Sequence, residues 1–182
     1  MNPTNIISEF KEKASLVSAV IHETNTIEDA FRIALSLCKK NFIIASPQFD
    51  NSALPLLEKL CIENGITLLK DSLRKYTNGI DMGITFADFG IAETGTIVVS
   101  SDSEDKRLST MISEIHVALL YKSNIRSTAL DMADELSALT SKPSSYTAFI
   151  TGPSRTADIE RVLAIGVHGP LELHIILLED KE

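Results

Sequence analysis

Tryptophan is absent, and 7 Phe and 3 Tyr are the only aromatic rings besides histidine in 182 residues. Nucleobase stacking needs aromatic platforms, so that mode of nucleic-acid binding has little to work with. Cysteine is scarce as well: Cys38 and Cys61 are the 2 present. Neither shows a Cys-x-x-Cys or Cys/His spacing, which leaves no framework for disulfides, structural zinc or an iron–sulfur cluster. Positive charge is not concentrated anywhere. Acidic residues outnumber basic ones, 25 to 17, for a formal charge of -8. A nucleic-acid footprint or an anionic lipid surface would call for the opposite balance. No apolar run approaches the roughly 18–20 residues needed to cross a bilayer. The opening Met1-Asn2-Pro3 is polar, then amphipathic, and lacks the basic-then-apolar plan of a secretory signal, so a cytoplasmic location is expected.

What is present suits one folded unit. The 44% apolar and 23% charged residues are ordinary globular values, and a chain of this length builds its own core. Internal repeats and low-complexity linkers are missing. Residues 1–25 are expected to form an N-terminal helical extension, and 26–182 a single α/β domain. Ile6, Phe10, Val17, Val20 and Ile21 predict an amphipathic helix over 5–22. Thr26-x-x-Asp29 resembles a capping box that opens a second helix, closed by Lys39-Lys40. Phe42–Ala45 is strand-like. Ala53, Leu56, Leu57, Leu60 and Cys61 line a helix that stops at Asn64-Gly65. Strands are expected at Ile66–Leu69, Met82–Ala87, Thr96–Ser100, Ile115–Tyr121, Tyr146–Ile150 and Leu173–Leu178. Helices are expected from a Ser101-x-x-Glu104 cap through Met111, along Ile125–Leu136, and over Ala157–Ala164.

Strands that alternate with helices predict a mainly parallel central sheet with helices on both faces. Ligands of such sheets sit outside the carboxyl ends of the strands, which directs attention to the loops that follow them. Three loops stand out. Gly90-Ile91-Ala92-Glu93-Thr94-Gly95-Thr96 combines two glycines with two hydroxyls. Its Gly90, Thr94, Gly95 and Thr96 are candidate ligand contacts through amide and hydroxyl groups. Its carboxylate, Glu93, is a candidate base or nucleophile, or equally a hairpin-turn residue.

The second loop, Thr151-Gly152-Pro153-Ser154-Arg155-Thr156-Ala157-Asp158, follows a strand and is expected to open a helix. Gly152, Ser154, Arg155 and Thr156 are candidate contacts for an anion there, with Arg155 as a bidentate clamp, or a well-capped helix with a surface arginine. The spacing is neither a P-loop nor a dinucleotide fingerprint. In the third, Gly166-Val167-His168-Gly169-Pro170, Gly169 is a candidate contact. His168 is the candidate acid/base group or oxyanion donor, or a structural histidine. His116 sits in an apolar strand and reads as a partly buried structural residue. His22 and His174 carry no motif. No histidine pair has metal-site spacing, and Ser154 lacks the partners of a hydrolase triad.

The three loops in this order, with Arg107-Leu108 and His116 between the first and second, resemble the lactate-utilisation (LUD) domain family, of the protein C type. The resemblance covers roughly residues 40–179. It implies a fold similar to that of the sugar-phosphate isomerase and CoA-transferase superfamily. It further implies a component of a bacterial system that oxidises L-lactate to pyruvate with iron–sulfur partner proteins. The proline common before the His116 strand is replaced by Ser113-Glu114. No cofactor motif is visible, so the cofactor stays unknown. Two other readings use the same loops: a stand-alone enzyme acting on a CoA thioester or sugar phosphate, and a non-catalytic metabolite-binding scaffold.

Overall fold

The computed structural model describes residues 3–39, 41–47, 49, 53–76, 79–141, 146–156, 164–165 and 169–180. The chain opens with α1 (Pro3–Leu16), β1 (Ala19–Thr24), α2 (Ile27–Ser36), β2 (Ile43–Ala45), α3 (Leu54–Glu63) and β3 (Thr67–Leu69). It continues with β4 (Met82–Phe86), β5 (Phe89–Ile91), β6 (Thr96–Ser101), α4 (Glu104–Met111), β7 (Ile115–Tyr121) and β8 (Ile125–Arg126). Last come α5 (Ala133–Thr140), β9 (Tyr146–Ile150), β10 (Arg155–Thr156), β11 (Ala164–Ile165) and β12 (Glu172–Leu178).

Six strands form the central sheet in the order β1-β12-β7-β4-β2-β3, and every neighbouring pair is parallel. A sheet covered on both faces needs apolar side chains at successive positions. The middle strands supply them. Val117 and Leu119 of β7, with Ile176 and Leu178 of β12, join a core with Phe31 and Ala34 of α2 and Leu57 and Leu60 of α3. Ala118 and Leu120, with Leu173, Ile175 and Leu177, face the other way, toward Phe10 and Ala14 of α1. Helices thus lie on both faces, as the alternating pattern predicts.

The second face has a further cover that the pattern does not disclose. Strands β8-β5-β6-β9 form a separate four-stranded sheet, mostly antiparallel. Ile97 and Val99 of β6 pack into the same core as α1. Opposite them on β6, Val98 packs with Ile91 and Met132 in a smaller cluster of its own. The Gly90–Thr96 segment is therefore a β5–β6 hairpin, with Gly90 and Ile91 inside β5.

Several local expectations are corrected. The helix expected over 5–22 ends at Leu16, because Ser18 adopts a positive φ of 67° that reverses the chain. Val20 and Ile21 then belong to β1, in register with His174 and Ile175. Residues 1–25 thus contribute a sheet strand, and Phe10 and Ala14 are fully buried. The helix expected along Ile125–Leu136 is three elements. Ile125 pairs with Gly90 in β8, a 3-10 turn spans Leu130–Met132, and α5 begins at Ala133. Ser101 does not cap α4. Ser103 does, accepting from the Lys106 amide, while Ser101 bonds the Ser103 backbone. The Thr26 cap forms as expected, its hydroxyl accepting from the Asp29 amide at 3.0 Å. That helix stops at Ser36, short of Lys39; Lys40 lies outside the described residues. Arg155 and Thr156 are paired with Ile165 and Ala164 in a β-ladder rather than opening a helix. Residues 157–163 of the expected helix lie outside the described residues.

Two of the glycine-bearing turns meet the end of α1. Gly95 has φ 63°, and a Cβ there would lie 2.2 Å from the Ala14 amide nitrogen. Gly152 has φ 73°, and its Cβ would lie 2.2 Å from the Val17 carbonyl oxygen. Both contacts are with backbone, which cannot swing aside. Gly95→Ala is expected to lower stability by about 2–4 kcal/mol, combining left-handed strain with overpacking. Urea denaturation measures this, and an unchanged midpoint would show that α1 does not dock against the turn as described.

Candidate functional site

A cavity of about 310 Å³ opens where the two sheets diverge. Its floor is His116 of β7 and Leu173 of β12. Each is the second residue of its strand, so the cavity lies at the amino ends of the central strands. The expectation from the sequence was a site outside the carboxyl ends, the opposite edge of the sheet. The cavity comes from the second sheet: its edge strand β9 lies above these amino ends and turns an open margin into a walled recess. Tyr146, Ala148, Phe149 and Ile150 of β9 form one wall, continued by Thr151, Gly152, Pro153 and Ser154. Thr110 and Met111, at the end of α4, and Gly169 and Pro170, before β12, complete it.

The carboxyl edge also has recesses, one of them about 510 Å³. Its charged lining is already engaged. Lys122 pairs with Glu179 and, at 3.0 Å, with Glu23, while Ser123 bonds Asp180. The hydrogen bond to Glu179 leads the effects that raise the Lys122 pKa. The bond from Lys11 leads those that lower the Glu23 pKa. These pairs tie the ends of β1, β7 and β12 together.

His116 is the most perturbed group of the amino-end cavity. It is 1% exposed, and its Nε2 lies 2.9 Å from the Thr85 hydroxyl of the neighbouring β4. Burial lowers its pKa to about 4, so the imidazole is neutral near pH 7. The Thr85 hydroxyl can donate to Nε2 or accept from it, so the bond holds the ring's orientation and suits either neutral tautomer.

The candidate residues from the sequence divide into two groups. Thr151, Gly152, Ser154 and Gly169 line the cavity. The Ser154 amide donates to the Pro170 carbonyl at 2.9 Å, which holds the second and third loops together. The others are engaged elsewhere. Glu93 accepts from the Ala129 amide at 3.1 Å, outside the cavity lining. Gly90 is enclosed by Leu120, Phe10 and Ile125. Gly95 abuts α1. Arg155 donates to the Val17 carbonyl at 2.9 Å and to the Ser18 hydroxyl, placing its charge at the carbonyl-rich end of α1. Thr94 and Thr96 share a hydrogen bond of 2.7 Å, and Thr96 shares another of 2.7 Å with Thr151. This hydroxyl chain joins the first loop to the cavity wall. Thr156 lies in β10. His168 lies outside the described residues.

The sequence offered little notice of Thr85, Thr110, Met111 or Phe149, which carry no motif. It also hid a polar cluster on the opposite face of the sheet. His22 Nε2 lies 3.0 Å from His174 Nδ1, and His174 Nε2 lies 2.9 Å from Glu172. An ionised Glu172 makes His174 the Nε2–H tautomer, so His22 is the donor of the pair. Burial, then electrostatic interaction with the neighbouring His174 ring, lowers the His22 pKa. Among the described residues no three His, Cys, Asp or Glu side chains are grouped to hold a metal ion. No helix of the described residues is long and apolar enough to cross a membrane.

The model of the LUD domain matches residues 7–178. The chain belongs to the LUD domain family. Lactate utilization protein C of Halalkalibacterium halodurans is 33% identical over 139 residues, 74% of this chain and 60% of that protein. Lactate utilization protein C of Bacillus subtilis is 36% identical over 104 residues, 56% of this chain and 43% of that protein. The chain thus spans about half the length of these relatives. A solved DUF162 family protein from Deinococcus radiodurans superposes with a TM-score of 0.68 at 19% identity, over 98% of this chain and 99% of that one. That likeness supports the α/β fold.

The His116 environment has a measurable consequence. As pH falls from 6.5 toward 4, the unfolded chain takes up a proton that the folded chain refuses. Stability is fully present above pH 6.5 and falls by about 3 kcal/mol across that window. In an NMR titration the His116 ring signals should stay still from pH 8 to 5.5. A midpoint near 6.5 would show that the ring is solvated.

Proposed function

We propose that this LUD domain serves in the utilisation of L-lactate, acting with iron–sulfur partner proteins, and that the amino-end cavity is its ligand site. The observation that carries this is the 33% identity over 139 residues with a protein named for lactate utilisation. The chain's own chemistry fits a subordinate role. Oxidation of a hydroxy acid to a keto acid releases two electrons, which need an acceptor. The sequence has no cysteine spacing for an iron–sulfur cluster and no nucleotide fingerprint, which places the acceptor on a partner in this reading.

Thr151, Gly152, Ser154 and Gly169 hold the ligand, with His116 and Thr110 added from the geometry. Glu93 and Arg155 serve the scaffold: one accepts a loop amide and the other caps α1. Deleting the gene should abolish growth on L-lactate as sole carbon source and leave growth on pyruvate intact. A plasmid copy should restore growth, and a Thr151→Val copy should restore it poorly. Undiminished growth of the deletion strain on L-lactate would refute the assignment.

A further inference from the structure

We infer that the amino-end cavity takes an uncharged, largely apolar small molecule, held by hydrogen bonds to a carbonyl or hydroxyl group, rather than a free carboxylate or phosphate. The inference rests on the cavity being the ligand site proposed above, and it names the class of molecule bound there. It departs from the anion expected on the glycine-rich loops.

The charge of the lining is the first observation. None of the described lining residues is Asp, Glu, Lys or Arg. The guanidinium expected to clamp an anion, that of Arg155, is turned to the end of α1. The nearby Arg107 lies over the ring of Tyr146, 5.7 Å from its centroid, on a residue of the wall rather than in the lining. An anion entering this recess gives up part of its hydration to walls whose described residues carry no cation, a larger loss than a neutral molecule of the same shape suffers.

The second observation is His116. It is a polar side chain almost wholly withdrawn from water, yet it forms part of the cavity floor. Its Nε2 is engaged by Thr85, which fixes how the ring is presented. The imidazole stays neutral at physiological pH and so offers a single hydrogen bond, without the positive charge that an anion would select. Thr151 and Ser154 add hydroxyls on the opposite wall. Met111, Phe149, Pro153, Pro170 and Leu173 supply the apolar remainder. An apolar recess with a few placed polar groups is the common form of a small-molecule site, and its volume is at the lower end for such sites.

Isosteric pairs that differ only in charge test this on the unaltered full chain. Benzamide and benzoate form one pair, lactamide and L-lactate the other. Binding is read from the His116 ring signals in NMR titrations at pH 7. Benzamide is expected to move those signals and to bind at least tenfold more tightly than benzoate, with lactamide ahead of L-lactate. Arg107→Gln should leave the benzamide affinity within twofold. Thr85→Val should shift the His116 nitrogen signals and weaken benzamide at least fivefold. Equal or tighter binding of the carboxylates overturns the inference. So does a tenfold loss of benzamide in Arg107→Gln, or no movement of His116 with any probe at millimolar concentration. Each of these results leaves the growth experiment untouched. Failure of the growth experiment, in turn, leaves the ligand preference measurable.

Discussion

The backbone contact between the end of α1 and two glycine turns governs how the second face of the central sheet is closed. Ala118, Leu120, Ile175 and Leu177 must be covered there. One helix is too narrow for that, and the small second sheet supplies the remainder. Helix and sheet meet where the Gly95 and Gly152 turns touch the backbone of Ala14 and Val17. Side chains at either turn would force the layers apart. Arg155 completes the junction by bonding the carbonyl that ends the helix.

The position of the cavity follows from this arrangement. With β6 drawn onto the central sheet, its partner β9 is carried beyond the packed core and over the amino ends of β7 and β12. The wall it forms is half apolar, because Ala148 and Ile150 continue the inward row set by their register with Val99 and Ile97. The hydroxyls of Thr94, Thr96 and Thr151 link the hairpin turn to that wall at 2.7 Å spacings. Such a chain favours one placement of the Thr151 backbone, and each bond contributes about 1 kcal/mol. The same scaffold therefore fixes both the rim and the floor of the recess.

Much of the fold was legible because its strands are short apolar runs with clear punctuation. Ile115–Tyr121 and Tyr146–Ile150 match β7 and β9 residue for residue. The Thr26 cap was legible because a hydroxyl three residues before a carboxylate acts locally. Other elements were misread for an equally local reason. Val17, Val20 and Ile21 extend a helical spacing, but Ser18 at positive φ breaks the helix between Leu16 and β1. Ile125 and Met132 sit seven residues apart, as on one helix face, yet they pack into different clusters on opposite faces of the second sheet. Periodicity cannot separate one helix from two elements that bury residues at the same interval.

The three loops stand out in the sequence by their glycines and hydroxyls. The alternation of apolar runs implied an α/β domain, and the order of the three loops carried the resemblance to the LUD family. Only the tertiary structure decided what the glycines are for. A glycine selected for close backbone approach looks the same in sequence whether the approaching group is a ligand or a helix end. Here the helix end fills the space beside Gly95 and Gly152, and Gly152 borders the cavity as well. His116 shows the converse. Nothing local distinguishes a histidine packed in a strand from one at the floor of a cavity, because the cavity is made by β9, thirty residues further along the chain. That distance is closed only by packing one sheet upon another.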